Sequence, residues 1–264
     1  MKQNNIVLDI AILTAGRVDL FGKCVDAVMS QMKPEYKIAV CNNGHPSKEY
    51  EDIYKFLPPN SIIKRNKVDE GYSRGANSCM NAGNAPMVLL VTDDVFLHEG
   101  AIEHLLETMK DPSIGQCGLK LLFPEDSTDP NRPAGKVQHI GMATNIRGDM
   151  IHPLIGWSTD NPKCNISREV VAVTGACFIV RRDDFRKAGG FNPIYGKGYF
   201  EDMDLSYSIR NNGKRIYIDT ESVATHGVGQ TFAVNKEQSP MQQNSMIFRN
   251  RWLKSMAWSE FDIW

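Results

Sequence analysis

The chain lacks a dominant charge. Its 30 lysines and arginines are offset by 31 aspartates and glutamates, for a net −1. That balance excludes a protein held to nucleic acid by an overall basic field. Long apolar runs are also missing. The first apolar stretch, Ile6 to Leu13, is broken by Asp9. It is too short to span a bilayer and lacks the shape of a signal peptide. The six cysteines, Cys24, Cys41, Cys79, Cys117, Cys164 and Cys177, form no Cys-x-x-Cys pair, which argues against a structural zinc site or a thioredoxin motif. Most sit in apolar runs, where a thiol packs as a small core residue, so a reducing, cytoplasmic setting is expected. No internal repeat or low-complexity linker is visible. No Gly-x-Gly-x-x-Gly follows the first apolar stretch, which excludes a dinucleotide dehydrogenase.

What is present is an ordinary globular composition. Of 264 residues, 42% are hydrophobic and 23% charged, enough to bury a large core. The first half alternates strand and helix patterns. Strands are predicted at Ile6–Leu13, Lys37–Cys41, Ser61–Arg65 and Met87–Thr92. Helices are predicted at Arg17–Lys33, Ser47–Phe56, Gly71–Gly83 and Gly100–Lys110. This β-α-β-α order implies a mainly parallel sheet with helices on both faces. The second half is less regular. Strands are predicted at Gly115–Phe123, Val137–Thr144, Val170–Arg181 and Arg215–Asp219, helices at Asp183–Ala188 and Glu201–Asn212, and a last helix near the C-terminus. Residues 1–264 are expected to form one unit, with a nucleotide-binding half (1–110), an acceptor-side half (111–240) and a C-terminal helix (241–264).

Four segments carry chemistry. Thr92-Asp93-Asp94-Val95 ends the most apolar strand, where ligand crevices of open α/β sheets lie. Two ionised carboxylates there need a cation or donors facing them, and magnesium or manganese is the natural partner. The plainer alternative is that both acids only start a loop. Glu201-Asp202-Met203-Asp204 crowds three acids into a helix start. Capping explains part of this, but mutual repulsion exceeds what one cap needs, so one acid is a candidate general base. His226, beside Gly227, can offer an imidazole to a metal, although a lone histidine is more often structural. The other five histidines lack such a setting. Gly71 to Asn77 permits close backbone approach, and Arg74 can reach a phosphate or a base.

The order of these segments resembles family 2 glycosyltransferases of the GT-A fold, and especially the bacterial rhamnosyltransferase-like branch. The resemblance runs from about residue 6 to 255. Leu13-Thr14-Ala15-Gly16-Arg17 matches the family's first turn, and Asn42-Asn43-Gly44 its Asp-Asp-Gly-like turn. Gly71 to Asn77 matches its glycine-rich helix, Thr92-Asp93-Asp94 its Asp-x-Asp region, and Thr174-Gly175-Ala176 its Ser-Gly-Ala segment. Gly189-Gly190-Phe191 and Glu201-Asp202-Met203-Asp204-Leu205 complete the series. The resemblance implies a manganese or magnesium ion on Asp94, with His226 as an additional ligand, and Asp93 on the donor's ribose or sugar. It further implies that Thr14, Asn43 and Arg74 hold the nucleoside, with Ala15, Arg17 and Gly175 in the same donor-binding set. Asp202 would be the base, with Glu201 beside it in the catalytic pair.

Three departures stand out. Thr92 replaces an acid, the amides of Asn42 and Asn43 replace two more, and Gly16 replaces a larger side chain. The implied activity is inverting sugar transfer from a nucleotide-diphosphate donor to a hydroxyl of a glycan or glycoconjugate acceptor. A nucleotidyltransferase acting on a sugar phosphate, or a nucleotide-sugar-binding module without catalysis, are the alternatives. The loop Gly227–Pro240 is expected to close over the donor. The C-terminal segment, with Arg249, Arg251 and Lys254 among Phe248, Trp252 and Trp258, is expected to pack on the domain; the other reading is peripheral contact with the inner face of a membrane.

Overall fold

The computed structural model describes residues 6–15, 18–44, 48–144, 149–227, 240–252 and 255. Arg17 and the loop 228–239 lie outside the described residues, so the expectations of a donor contact from Arg17 and of a closing loop lie outside them too. The first half contains β1 (Leu8–Thr14), α1 (Val18–Met29), β2 (Tyr36–Asn42), α2 (Glu49–Tyr54), β3 (Ile62–Arg65), α3 (Tyr72–Met80), β4 (Met87–Thr92), β5 (Val95–Leu97) and α4 (Ala101–Thr108). The second contains β6 (Ile114–Leu122), β7 (Val137–His139), β8 (Ala143–Thr144), β9 (Met150–Ile151), β10 (Arg168–Val170), β11 (Cys177–Arg181), α5 (Arg182–Lys187), α6 (Glu201–Asn211), β12 (Arg215–His226) and α7 (Met241–Trp252).

The central sheet runs β10-β12-β6-β11-β4-β1-β2-β3. Strands β3, β2, β1 and β4 are parallel. β11 enters antiparallel between β4 and β6, and β6 and β12 are again parallel. This is the GT-A fold. The antiparallel β11 matters because Cys177 pairs with Val91. Its beginning therefore lies at the carboxyl end of β4, where the two acids are. The three-residue β5 pairs with β12, setting His226 opposite Val95.

Alternation along the strands builds two cores. Ile10 and Ile12 of β1 face Phe21, Val25 and Leu105 of α1 and α4. Ala11 and Leu13, one residue out of phase, join Ala76, Phe185 and Leu205 of α3, α5 and α6. A period of two sends successive side chains to opposite faces, so one strand supplies both layers. Asp9, which breaks the first apolar stretch, is buried in an ion pair with Arg182 at 2.5 Å. Arg182 also donates to the carbonyls of Ala85 and Met80 at 2.6 Å. Removing one partner of such a pair costs about 3–5 kcal/mol, so this end of the sheet is a structural lock, opposite the site.

The C-terminal helix packs on the domain. Phe248 and Trp252 of α7 join Tyr207, Met203 and Phe200 in a third cluster. Asp204, only 1% exposed, accepts from Trp252 Nε1 at 2.7 Å and Tyr195 Oη at 3.1 Å, and pairs with Arg251 at 3.0 Å. The third acid of the Glu-Asp-x-Asp cluster therefore ties α6 to α7. Among the described residues, no helix is long and apolar enough to cross a membrane.

Candidate active site

The two acids after β4 have different settings. Asp93 Oδ2 accepts from Thr14 Oγ1 at 2.6 Å and from the Ala15 amide at 3.3 Å. Burial pushes its carboxyl up to about 7, against the pull of the Thr14 hydrogen bond and helped by the neighbouring Asp94 charge. Asp94 Oδ1 accepts from Thr92 Oγ1 at 2.7 Å. Burial would raise this carboxyl as well, but His226 and the Thr92 hydroxyl outweigh it and hold Asp94 below the ordinary carboxylate value. Thr92, the departure from the acidic pattern, thus orients Asp94.

His226 stands at the end of β12, its Nε2 at 3.4 Å from Asp94 Oδ2. Its other ring nitrogen meets Gln138 Oε1 at 2.6 Å. Gln138 Nε2 donates to the His226 carbonyl at 2.9 Å, which fixes the amide's orientation. Nδ1 therefore carries a hydrogen, and the lone pair of a neutral His226 sits on Nε2. Two acceptors then face each other across 3.4 Å, an arrangement that calls for a proton or a cation between them. Gln138 has no signal in the sequence beyond a polar residue in a strand, and its partner lies 88 positions away.

The second station forms where the chain leaves the sheet between β10 and β11. The expected single strand Val170–Arg181 is interrupted there over residues 171–176, which end in Thr174-Gly175-Ala176. The Ala176 carbonyl accepts from the Thr92 amide at 2.9 Å. The Gly175 amide donates to Asp202 Oδ2 at 3.0 Å, and its carbonyl accepts from Tyr72 Oη at 2.5 Å. A Cβ on Gly175 would lie 2.6 Å from that hydroxyl, so only glycine fits. Gly175, expected among the donor-binding residues, joins Tyr72 to Asp202. Asp202 Oδ1 also accepts from the Met203 amide at 2.8 Å. Burial raises the Asp202 carboxyl, and the Gly175 and Met203 amides restrain it. Glu201 is buried with Oε2 lacking a hydrogen-bond partner among the described residues. Burial, reinforced by the Asp202 charge, pushes it well above the carboxylate range.

The turn before these acids is strained. Tyr199 and Phe200 have φ of 71° and 74°, a region costing non-glycine residues about 1–3 kcal/mol each. Asn244 of α7 holds it there, its amide donating to the carbonyls of Gly198 at 2.7 Å and Tyr195 at 2.8 Å.

Two expected nucleoside contacts are engaged within the protein. Asn43 is 3% exposed, and its carboxamide is saturated within the protein. Its Nδ2 donates to Asp69 Oδ1 at 2.8 Å and the Gly71 carbonyl at 3.2 Å. Its Oδ1 accepts from Asn66 Nδ2 at 2.8 Å and the Glu70 amide at 3.3 Å. Both amide hydrogens and the carboxamide oxygen are thereby engaged in holding the loop above it. Thr14 and Ala15 likewise spend their donors on Asp93. Arg74 is exposed, with no hydrogen bond or ion pair among the described residues.

Residues 9–189 match the model of glycosyl transferase family 2. The chain belongs to this family. It is 24% identical over 252 residues to O-antigen biosynthesis protein RfbC of Myxococcus xanthus, covering 92% of this chain and 18% of that protein. It is 28% identical over 156 residues to N-acetylglucosaminyl-diphospho-decaprenol L-rhamnosyltransferase of Mycobacterium tuberculosis, covering 54% of this chain and 48% of that one. The chain thus spans less than half the length of these relatives. Its fold is similar to GalNAc-T7 with UDP, GalNAc and Mn2+, at TM-score 0.67 and 13% identity, covering 94% of this chain and 48% of the other. It is also similar to the mannosyltransferase PcManGT from Pyrobaculum calidifontis with GDP-Man and Mn2+, at TM-score 0.60 and 14% identity, covering 87% and 59%. Asp202 and His226 lie beyond the family match, in the part of the chain whose placement comes from the fold.

Proposed function

We propose that this chain transfers a sugar from a nucleoside-diphosphate donor to a hydroxyl of a saccharide or glycoconjugate, with inversion at the anomeric carbon and with a divalent metal. The carrying observation is the segment Thr174–Ala176. It is hydrogen-bonded on one side to Thr92, which holds Asp94, and on the other to Asp202. A donor station and a base station are thereby braced against one piece of backbone.

The residues present fit a divalent cation. Asp94 Oδ2 and His226 Nε2 lie 3.4 Å apart, and because Gln138 takes the ring hydrogen on Nδ1, the Nε2 position is left to face a cation. Among the described residues no group of three or more ligating side chains is gathered, but manganese and magnesium fill much of their coordination with water and substrate phosphate. Asp94 and His226 would hold the ion, which when bound neutralises charge on the departing diphosphate.

The protein's own residues account for the remainder. Arg74, exposed and without an ion pair among the described residues, would reach the donor's phosphates, and Asp93 would accept from, or donate to, donor hydroxyls. Asp202 takes the proton of the acceptor hydroxyl as its oxygen bonds to the anomeric carbon. The carbon–phosphate-oxygen bond breaks, and its electron pair leaves with the nucleoside diphosphate. Attack from the face opposite the leaving group inverts the centre. Burial and the Asp202 charge favour the protonated form of Glu201, which leaves Asp202 as the base. The similarity to a rhamnosyltransferase makes a deoxyhexose donor the first to try. The test is turnover with nucleotide sugars and manganese, with product configuration read by NMR. A product retaining the donor's anomeric configuration would overturn the mechanism.

A further inference from the structure

β7 is three residues long, yet two of them reach opposite stations. Gln138 grips His226, as above. His139, pointing to the other face, is 1% exposed. Its Nε2 accepts from the Thr174 amide at 3.3 Å and the Gly141 amide at 3.2 Å. Its Nδ1 meets His152 Nδ1 at 3.1 Å. These contacts fix both tautomers. Nε2 faces two N–H donors, so it bears the lone pair and Nδ1 bears the hydrogen. His139 Nδ1 then donates to His152, which holds its own hydrogen on Nε2. Burial keeps both rings neutral: His152 is lowered to about 4, and His139 lies well below its ordinary value, with His152 and His226 adding to the effect.

From this geometry we infer that His139 is a positioning residue for the base. It pins the Thr174 amide, and so sets the Gly175 amide on Asp202 Oδ2. A core histidine filling space would need no such match of tautomer to backbone. The inference rests on the proposed base role of Asp202.

The route is short. Without the His139 acceptor, the half-buried Thr174 amide loses its partner, and the 174–176 segment turns to satisfy it. The Gly175 amide then moves off Asp202. A hydrogen bond to an ionised carboxylate lowers its pKa, so its loss raises that of Asp202. Glu201 on the same helix and the Tyr72 hydroxyl from α3 also face this carboxyl, and they stay in place. The acid limb of the rate profile therefore moves to higher pH.

The experiment compares His139→Leu with His139→Gln, whose Oε1 takes the place of Nε2. His139→Leu is expected to lower kcat ~10–100-fold, as for residues orienting a reactive group. Nucleoside diphosphate affinity, measured by calorimetry with manganese, should stay within about twofold, and the acid limb should move up. His139→Gln should restore most of kcat and the original limb. An unmoved limb, a loss that His139→Gln fails to restore, or a loss appearing as weakened nucleotide binding overturns the inference. Should His139→Leu fail to fold, His152→Phe, which leaves the Nδ1 hydrogen unpaired, is read on the same axis: a moved limb supports the role and an unmoved one overturns it. Asp202→Asn serves as the control. If it retains turnover, the base reading itself is wrong; if it abolishes turnover while the limb of the His139 variants stays put, only the positioning role falls.

Discussion

Gln138 holds His226 at both ends, accepting from the ring at 2.6 Å and donating to the carbonyl at 2.9 Å. This grip leaves Nε2 turned toward Asp94. Gln138→Leu should free the ring and let the tautomer switch. Metal-assisted nucleotide binding is expected to weaken ~10–100-fold. Calorimetric titration of a nucleoside diphosphate, with manganese and with chelator, measures it. Equal weakening in both would mean that Gln138 serves the fold alone.

Asp202→Asn keeps the Gly175 contact through Oδ1 but cannot take a proton. Turnover should fall ~10²–10⁴-fold while nucleotide and metal binding persist. Asp94→Asn should instead weaken metal and donor binding together. Steady-state kinetics and calorimetry on both variants separate the two stations, and similar profiles would contradict the division of labour.

Glu201 yields a prediction with a definite sign. Its carboxyl is raised in the folded state by burial and by Asp202. The folded protein then holds a proton that the unfolded chain releases above the ordinary carboxylate value of ~4.3. Stability from this group is full below that value and is lost as pH rises toward the folded pKa. Glu201→Gln mimics the protonated form. It should raise the melting temperature at pH 8 relative to the parent, flatten its dependence on pH, and keep most turnover. Thermal melts from pH 4 to 9 decide this, and a variant less stable at pH 8 would show that the carboxylate is ionised in place.

Gly175→Ala should be destabilising by about 1–3 kcal/mol, as overpacking is, because its Cβ would lie 2.6 Å from the Tyr72 hydroxyl. Tyr72→Phe removes the atom that clashes. The double variant should therefore be more stable than the sum of the single effects allows. A double-mutant cycle by denaturant unfolding gives the coupling, and simple additivity would place the clash elsewhere.

Asp204 and Asn244 tie α7 to the catalytic turn. Asp204→Leu strands the Trp252 and Tyr195 donors and should cost about 1–3 kcal/mol. Asn244→Leu removes the side-chain donor shared by the carbonyls of Tyr195, Gly198 and Tyr199 and should relax Tyr199 and Phe200 from their left-handed conformation. Both should lower kcat more than nucleotide affinity. Limited proteolysis within 195–200 reports the release, and unchanged cleavage would count against it.

Much of the first half was legible because its signals are local. The run Met87–Thr92 ending in two acids and the helical spacing of Phe21, Cys24, Val25 and Val28 each lie within a few residues. The acidic helix start and His226 were also visible, since a charge at the end of an apolar strand is conspicuous anywhere. What escaped depends on distant partners. Val170–Arg181 looks like one strand because Thr174-Gly175 carries no breaker strong enough to announce its departure toward Asp202. β12 extends beyond the predicted Arg215–Asp219 to His226, through an irregular register that no spacing marks. Asp204 looks like a third catalytic acid until Trp252 and Arg251 are seen around it. His139 shares its composition with any buried strand residue, and only the amides it faces give it meaning.

The saturation of Asn43 has a consequence for how this turn can change. Asp69 leans on the Asn43 amide hydrogens, so placing a carboxylate at position 43 would set two negative groups about a hydrogen bond apart. The Gly71 carbonyl would lose its donor in the same step. Asn43→Asp is therefore destabilising by itself, while a companion Asp69→Asn supplies a donor to the new acid. Positions 43 and 69 are therefore coupled: the cost of an acid at 43 depends on whether a donor or a second carboxylate stands at 69.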